Sequence, residues 1–82
     1  MNMWLVRVYD PEGFYEDYYF RKEENARAFL KKKIEEFIQL NEERGYDASY
    51  FGYDTYEEIL EECVKHGRMT DVVYILKIET ED

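Results

Sequence analysis

Three side chains that often carry covalent catalysis occur once each in this sequence: Ser49, Cys63 and His66. A nucleophilic hydrolase needs a serine or cysteine beside a histidine that accepts its proton. Cys63 belongs to an apolar stripe with helical spacing, which predicts a buried and unreactive thiol. His66 falls in the last turn of the same predicted helix, where a protonated imidazole interacts favourably with the helix dipole. The sequence therefore favours a structural role for Cys63 and His66.

The sequence also lacks the usual patterns of metal-binding and phosphate-binding sites. His66 pairs with Cys63 at i, i+3 or with Glu62 at i, i+4, but a zinc site needs three or four ligands and no second cluster exists. The four glycines, at positions 13, 45, 52 and 67, are isolated and form no phosphate-binding loop. Carboxylates are abundant, but a glycosidase pair needs a cleft that so small a chain builds poorly. We expect a protein that is not an enzyme and binds no cofactor and no metal.

Size and charge narrow the remaining functions. The chain has 82 residues, which predicts a single domain over residues 1–82, and its net charge is −9. Such a charge repels nucleic acids and anionic membranes. A lone cysteine forms no internal disulfide, the longest apolar run (Val72 to Leu76) is too short to span a bilayer, and no signal-peptide pattern opens the chain. The sequence predicts a cytoplasmic protein that binds neither nucleic acid nor membrane directly.

The negative charge is concentrated in one part of the chain. Residues 35–62 hold ten acidic residues and one arginine, whereas residues 21–34 hold six basic and two acidic residues. We interpret the basic block as a solvated helix face with salt bridges at i, i+4. Five acids of the acidic block occupy about 12 Å of predicted helix, a charge density near that of duplex DNA. These five are Asp54, Glu57, Glu58, Glu61 and Glu62. They form either a solvated helix face or a surface that meets a basic partner.

Aromatic residues interleave with the first of these acids. Five rings fall within eleven residues, more than closing a loop requires: Tyr46, Tyr50, Phe51, Tyr53 and Tyr56. Tyrosine is enriched in binding surfaces because a rigid ring gives contact area at a small entropic cost. We expect Phe51 and Tyr56 to belong to the core. The three other tyrosines should be at least partly exposed, with Tyr50 and Tyr53 turned outward together. The candidate partner-binding residues are thus Tyr46, Asp47, Tyr50, Tyr53, Asp54, Glu57, Glu58, Glu61 and Glu62.

Two hydrophobic periods predict the elements that position these residues. Alternation over residues 4–9 and 14–20, around the turn sequence Asp-Pro-Glu-Gly, predicts a β-hairpin. Apolar residues at three- and four-residue steps predict helices over about residues 23–44 and 55–66. A last strand over residues 72–79 is apolar on both faces for most of its length, so we expect it either in the middle of the sheet or well covered.

This order predicts an α+β fold with the arrangement ββααβ. A three-stranded sheet, built from the hairpin and the C-terminal strand, has two helices on one face. The other face stays partly open and carries Met3, Leu5 and Tyr9. The predicted core contains Trp4, Val6, Val8, Phe29, Ile34, Phe37, Ile59, Leu60, Val64 and Tyr74.

In its size, its acidity and the acid–aromatic pattern of residues 35–62, the chain resembles small phage-encoded anti-defence proteins, including anti-CRISPR inhibitors and DNA mimics. The resemblance covers no family motif and assigns no individual residue. It implies a non-catalytic inhibitor in the host cytoplasm. The expected partner is a protein with a basic, nucleic-acid-binding surface, which the acidic and tyrosine-rich surface would occlude.

An alternative from another class is a small homo-oligomeric structural or regulatory module, such as a homodimer. Such a module would associate through the open sheet face, since an exposed apolar face fits a second copy as well as it fits a different partner.

Overall fold

Two helices and an antiparallel sheet make up the chain, as the sequence predicts. The structure is a computed structural model that describes residues 2–79. Its elements are β1 (Asn2–Tyr9), β2 (Tyr15–Phe20), α1 (Glu23–Glu43), a 3₁₀ helix (Ala48–Phe51), α2 (Tyr56–His66), β3 (Arg68–Met69) and β4 (Val73–Glu79). The α+β class and the predicted order of the main elements are confirmed.

The side chain of Asp10 organises the hairpin turn. Its carboxylate accepts hydrogen bonds from the backbone N–H groups of Glu12, at 2.9 Å, and of Phe14, at 3.0 Å. Its carbonyl oxygen accepts a further bond from the N–H of Gly13, at 3.1 Å. Such a side-chain bond to the backbone two residues on is the reason that aspartate is favoured in turns. The predicted hairpin is confirmed.

Each helix ends where a local signal predicts it. The Thr55 hydroxyl accepts a hydrogen bond from the backbone N–H of Glu58, at 3.2 Å, so Thr55 rather than Asp54 is the N-cap of α2. Gly67 follows the last turn of α2 with a positive φ of 71°, and Gly45 follows α1 with a φ of 84°. These left-handed conformations satisfy the last carbonyl groups of a helix at little cost when the residue is glycine.

The sheet has four strands, in the order β2-β1-β4-β3. The prediction of three strands is wrong, because β3 consists of Arg68 and Met69 alone and is too short to show a hydrophobic period. It forms because Gly67 turns the chain back from α2 onto β4. The last long strand lies between β1 and β3, so its predicted central position is confirmed.

Both helices pack on the sheet face that carries Val6 and Val73. Helix α1 contacts the three long strands, and α2 contacts α1 and β3. The buried residues of this layer form one hydrophobic cluster: Val6, Ala26, Leu30, Ile34, Ile38, Ala48, Ile59 and Val73. Among the residues that the structure describes, no helix covers the opposite side of the sheet.

The predicted core is right in part. Val6, Ile34 and Ile59 are buried. Six of the other predicted residues are half-buried at the edge of the core: Trp4, Val8, Phe29, Phe37, Leu60 and Val64. Tyr74 is wrongly placed, because it pairs with Arg7 on the opposite face. A strand that is apolar on both faces does not reveal by its own pattern which set of side chains faces the helices.

We expect Gly67→Ala to destabilise the protein more than Gly45→Ala does. Both positions have a positive φ, which costs an alanine about 1 kcal/mol. A Cβ at position 67 would also lie 2.8 Å from Cγ2 of Ile75, whereas at position 45 it meets nothing within 4 Å. Overpacking brings the total for Gly67→Ala to about 3 kcal/mol. Urea unfolding of the two variants measures the difference, and equal costs would contradict the close packing of Gly67 on β4.

Candidate functional site

Five carboxylates project from α2 and the residue pair before it. We call Asp54, Glu57, Glu58, Glu61 and Glu62 the acidic helix surface. All five are exposed. Glu62 lies 3.2 Å from Nε2 of His66, and within residues 2–79 the other four carboxylates have no ion-pair partner. Lys31 and Lys65 line the same shallow groove as Glu57 and Glu61 without forming an ion pair there.

The basic residues of α1 are partly neutralised by acids of their own helix. Arg27 Nε lies 2.8 Å from Glu23, and Lys33 Nζ lies 3.2 Å from Glu36. Lys33 also approaches the ring of Phe29, at 5.3 Å from its centroid. These contacts match the salt-bridged helix face that the sequence predicts. The charge of the acidic helix surface, in contrast, remains directed at solvent.

Two exposed tyrosines lie in the connector before α2, and the hydroxyl of Tyr56, the first residue of α2, donates to the carbonyl oxygen of Tyr46. Tyr46 and Tyr50 keep 46% and 71% of their surface exposed, and their ring centroids are 5.0 Å apart. The half-buried Phe51 packs against Tyr50, with ring centroids 5.2 Å apart, and against Tyr56, with ring centroids 6.4 Å apart. We call Tyr46 and Tyr50 the tyrosine pair. Because the rings already pack on the protein, little side-chain entropy remains to be lost on binding.

Hydrogen bonds made by Asp47 and Tyr56 hold the backbone of the tyrosine pair in place. Asp47 caps the 3₁₀ helix, because its carboxylate accepts hydrogen bonds from the hydroxyl and from the backbone N–H of Ser49, the latter at 3.0 Å. These bonds lower the pKa of Asp47 below its usual range, the Ser49 hydroxyl contributing most. The hydroxyl of Tyr56 donates to the carbonyl oxygen of Tyr46. Asp47 is therefore exposed but also has a structural role.

Tyr53 does not join the tyrosine pair. It is half-buried and packs against the core, and with Ile59 and Cys63 it lines a shallow cavity of about 370 Å³. Gly52, with a φ of 85°, reverses the chain between the two tyrosines, and the N–H of Tyr53 donates to the carbonyl of Ala48 at 3.1 Å. The expectation that Tyr50 and Tyr53 turn outward together is wrong, because this turn directs only the first of them to solvent.

The same cavity contains two of the three residues considered for catalysis, Cys63 and His66, but not Ser49. Cys63 is half-buried, and burial together with the charge of Glu62 raises the pKa of its thiol, which disfavours the reactive thiolate. His66 and Arg68 also line this cavity. In the part of the chain that the structure describes, no three His, Cys, Asp or Glu side chains are grouped to hold a metal ion. Nor does any described helix have the length and apolar character needed to cross a membrane.

The uncovered side of the sheet contains an ion pair that the sequence analysis missed. Arg7 and Asp17 are cross-strand partners, with Nε and Nη2 of Arg7 lying 2.7 and 3.0 Å from the two carboxylate oxygens. The guanidinium group also stacks 4.0 Å from the ring centroid of Tyr15 and lies 5.8 Å from that of Tyr74. The turn at Asp10 was the available signal. Asp10 lies opposite Phe14 across this turn, and counting outward from that pair places position 7 opposite position 17.

We call this side of the sheet the open sheet face. Its side chains are Met3, Leu5, Arg7 and Tyr9 from β1, Tyr15, Asp17 and Tyr19 from β2, and Tyr74, Leu76 and Ile78 from β4. Met3, Leu5 and Tyr9 lie on it as predicted. Leu5, however, is only 4% exposed, because its neighbours Tyr19 and Leu76 flank it on both sides. Tyr19 and Leu76 are 58% and 51% exposed and form its apolar surface.

Comparison of the chain with protein-family models, with curated proteins and with solved structures finds no match to any of them.

We expect Tyr53→Ala to destabilise the protein by about 2 kcal/mol and Tyr50→Ala by less than about 1 kcal/mol. Tyr53 loses packing against the core, whereas Tyr50 is mostly in contact with water. Denaturant unfolding of the two variants tests this, and they are well matched because each removes the same phenol from the same connector. A larger loss for Tyr50→Ala would show that Tyr50 is the ring that closes the core.

Asp17 makes the stability depend on pH. The hydrogen bond from Arg7 lowers the pKa of Asp17 in the folded protein. Its contribution is therefore present above the ordinary carboxyl pKa of about 4 and is lost as the pH falls through the lower folded value. We expect the wild-type protein to lose more stability than Asp17→Asn between about pH 6 and pH 2. Urea midpoints at several pH values measure this difference, and identical pH profiles would contradict it.

Proposed function

We propose that the protein is a non-catalytic binding protein of the cytoplasm that occupies a basic surface on another protein. The supporting observation is that four carboxylates of the acidic helix surface have no ion-pair partner within residues 2–79, and that an exposed tyrosine pair is held by a hydrogen bond from Tyr56, the first residue of the same helix. A partner that normally binds nucleic acid fits this surface best, because such a protein presents clustered lysine and arginine side chains. The function would then be inhibition by occlusion, as the resemblance to phage anti-defence proteins implies.

The acidic helix surface supplies long-range attraction in this proposal. Its four acids within α2, Glu57 to Glu62, occupy about 7.5 Å of helix axis, or about one charge per 2 Å, against about one per 1.7 Å in duplex DNA. The like charges at i, i+4, such as Glu57 with Glu61, repel one another and are a net cost to the isolated helix. Attraction to a basic partner offsets that repulsion and speeds diffusional encounter. Glu61, which lies beyond the first turn of α2, therefore has a reason in binding that helix stability does not supply, whereas Glu57 and Glu58 also interact favourably with the helix dipole.

The tyrosine pair supplies the short-range contacts. Binding energy in protein interfaces concentrates in a few desolvated side chains, and tyrosine is among the residues most enriched there. Tyr50 offers a ring face to an arginine or lysine and a hydroxyl that can donate or accept a hydrogen bond. Its packing on Phe51 holds the ring in one orientation before the partner arrives. Recognition would thus combine steering by the acids with anchoring by two preorganised rings.

The raised pKa of Cys63 and the structural hydrogen bonds of Asp47 favour a non-catalytic role. The cavity beside Cys63 is shallow, and its walls contain no nucleophile with a lowered pKa among the described residues.

Reversing two charges of the acidic helix surface tests the proposal. We expect Glu58→Lys with Glu61→Lys to slow association with the partner at least tenfold at low salt and to flatten its salt dependence, because steering is lost. The immobilised chain is first used to capture proteins from a nuclease-treated bacterial lysate. Association of the purified captured protein is then followed by surface plasmon resonance at several ionic strengths.

The matched control is Glu24→Lys with Glu35→Lys. It makes the same change in net charge, also at one first-turn and one mid-helix position, but on α1. We expect this control to capture the same protein and to associate at nearly the wild-type rate. Equal slowing by both double variants would show that only net charge matters. No change with either would show that the acidic helix surface is only a solvated face.

A further inference from the structure

The open sheet face is an apolar surface that no helix covers in the part of the chain that the structure describes. Tyr19 and Leu76 flank the buried Leu5 on neighbouring strands, so the three side chains form a continuous apolar row across the sheet. Tyr15 and Tyr74 continue this surface on either side of Arg7. Contiguous apolar patches of this kind mark interaction sites on soluble proteins. The remaining question is which occupant the face fits.

The charged residues of this face favour an occupant whose docking surface is itself nearly neutral. Arg7 and Asp17 neutralise each other through two hydrogen bonds, so the centre of the face has no net charge. The third charged residue in register with this face is Arg68, at the β3 edge beside Tyr74. In a chain with a net charge of −9, this face thus carries no excess of negative charge that would repel the same face of a second copy.

We propose that two copies of the chain associate through their open sheet faces to form a symmetric homodimer. Two antiparallel sheets pack face to face about 10 Å apart, with their inner side chains interdigitated. The interface is isologous, so the row that contains Tyr19 and Leu76 meets the same row of the second copy across the two-fold axis. Apolar side chains would cover apolar side chains, and the Arg7–Asp17 pair would be shielded from water.

The placement of the acids removes the main objection to such a dimer. The acidic helix surface belongs to the helical layer, on the other side of the sheet from the interface. One sheet spacing and a helical layer on each side separate the two acidic surfaces by about 30 Å, against a screening length of about 8 Å at physiological salt. The two acidic helix surfaces therefore repel each other only weakly in this orientation.

The size of the face predicts a reversible dimer. The sheet measures about 400 Å² in plan at ordinary strand spacing and rise, which is below the roughly 800 Å² of accessible surface that each partner buries in a standard interface. We therefore expect a weak dimer that dissociates on dilution. The dimer would present two acidic helix surfaces in opposite directions, and it goes beyond the proposed function without depending on it.

Sedimentation velocity of the purified chain over about 5 to 500 µM tests this inference. The weight-average mass should rise from the 10.1 kDa of one chain towards that of two chains. Leu76→Lys and Tyr19→Lys should each raise the dissociation constant at least tenfold, because a lysine would be buried on both sides of the axis. Tyr50→Lys makes the same change in charge at an exposed ring on the other surface, and it should dimerise like the wild type.

A dilution series of the wild-type protein by nuclear magnetic resonance needs no substitution. Concentration-dependent shifts should fall on Tyr19, Leu76 and their strand neighbours, with the residues of α2 unchanged. A wild-type chain that stays monomeric at every concentration would overturn the inference. So would a dimer that Tyr50→Lys disrupts while the folded Tyr19→Lys and Leu76→Lys variants leave it intact.

Discussion

The alignment of β1 between two antiparallel neighbours is the constraint on which the rest of the structure depends. Its register against β2 and β4 places Val6 beside the helices and Arg7 on the open sheet face. Because side chains alternate along a strand, a slip of one residue would exchange the two sets. The turn at Asp10 fixes this register, and the two hydrogen bonds between Arg7 and Asp17 reinforce it. The core and the uncovered face therefore both follow from one strand pairing.

This pairing also gives the two sides of the molecule different charges: the helical side carries the exposed carboxylates of α2, and the open sheet face carries a neutralised ion pair. Helix α2 buries Ile59 against the core and turns its carboxylates to solvent, so its apolar face provides the stability that repulsion among the acids reduces. The open sheet face holds a neutralised ion pair within an apolar and aromatic surface. One surface suits a basic partner and the other suits a neutral apolar one. Since they lie on opposite sides, occupation of one leaves the other accessible.

The sequence predicted correctly those features that depend only on residues close together in the chain. The turn at Asp10, the cap at Thr55 and the glycines after each helix act over a few residues, and these elements lie where the pattern places them. The features that were missed depend on residues far apart in the chain. The strand β3 exists only against β4, the side of Tyr74 is set by its pairing with Arg7, and Leu5 is buried by flanking strands. At the site, the number of aromatic residues in the connector predicted the exposure of Tyr46 and Tyr50. The inward packing of Tyr53 depends instead on the turn at Gly52.

Nuclear magnetic resonance of the isotope-labelled chain with its captured partner measures directly which surface that partner covers. If the acidic helix surface and the tyrosine pair bind it, signal changes should concentrate at Tyr46, Tyr50 and the exposed residues of α2. The signals of Tyr19 and Leu76 on the open sheet face should then keep the values they have without the partner. Changes confined to the open sheet face, with α2 unaffected, would contradict the proposed function.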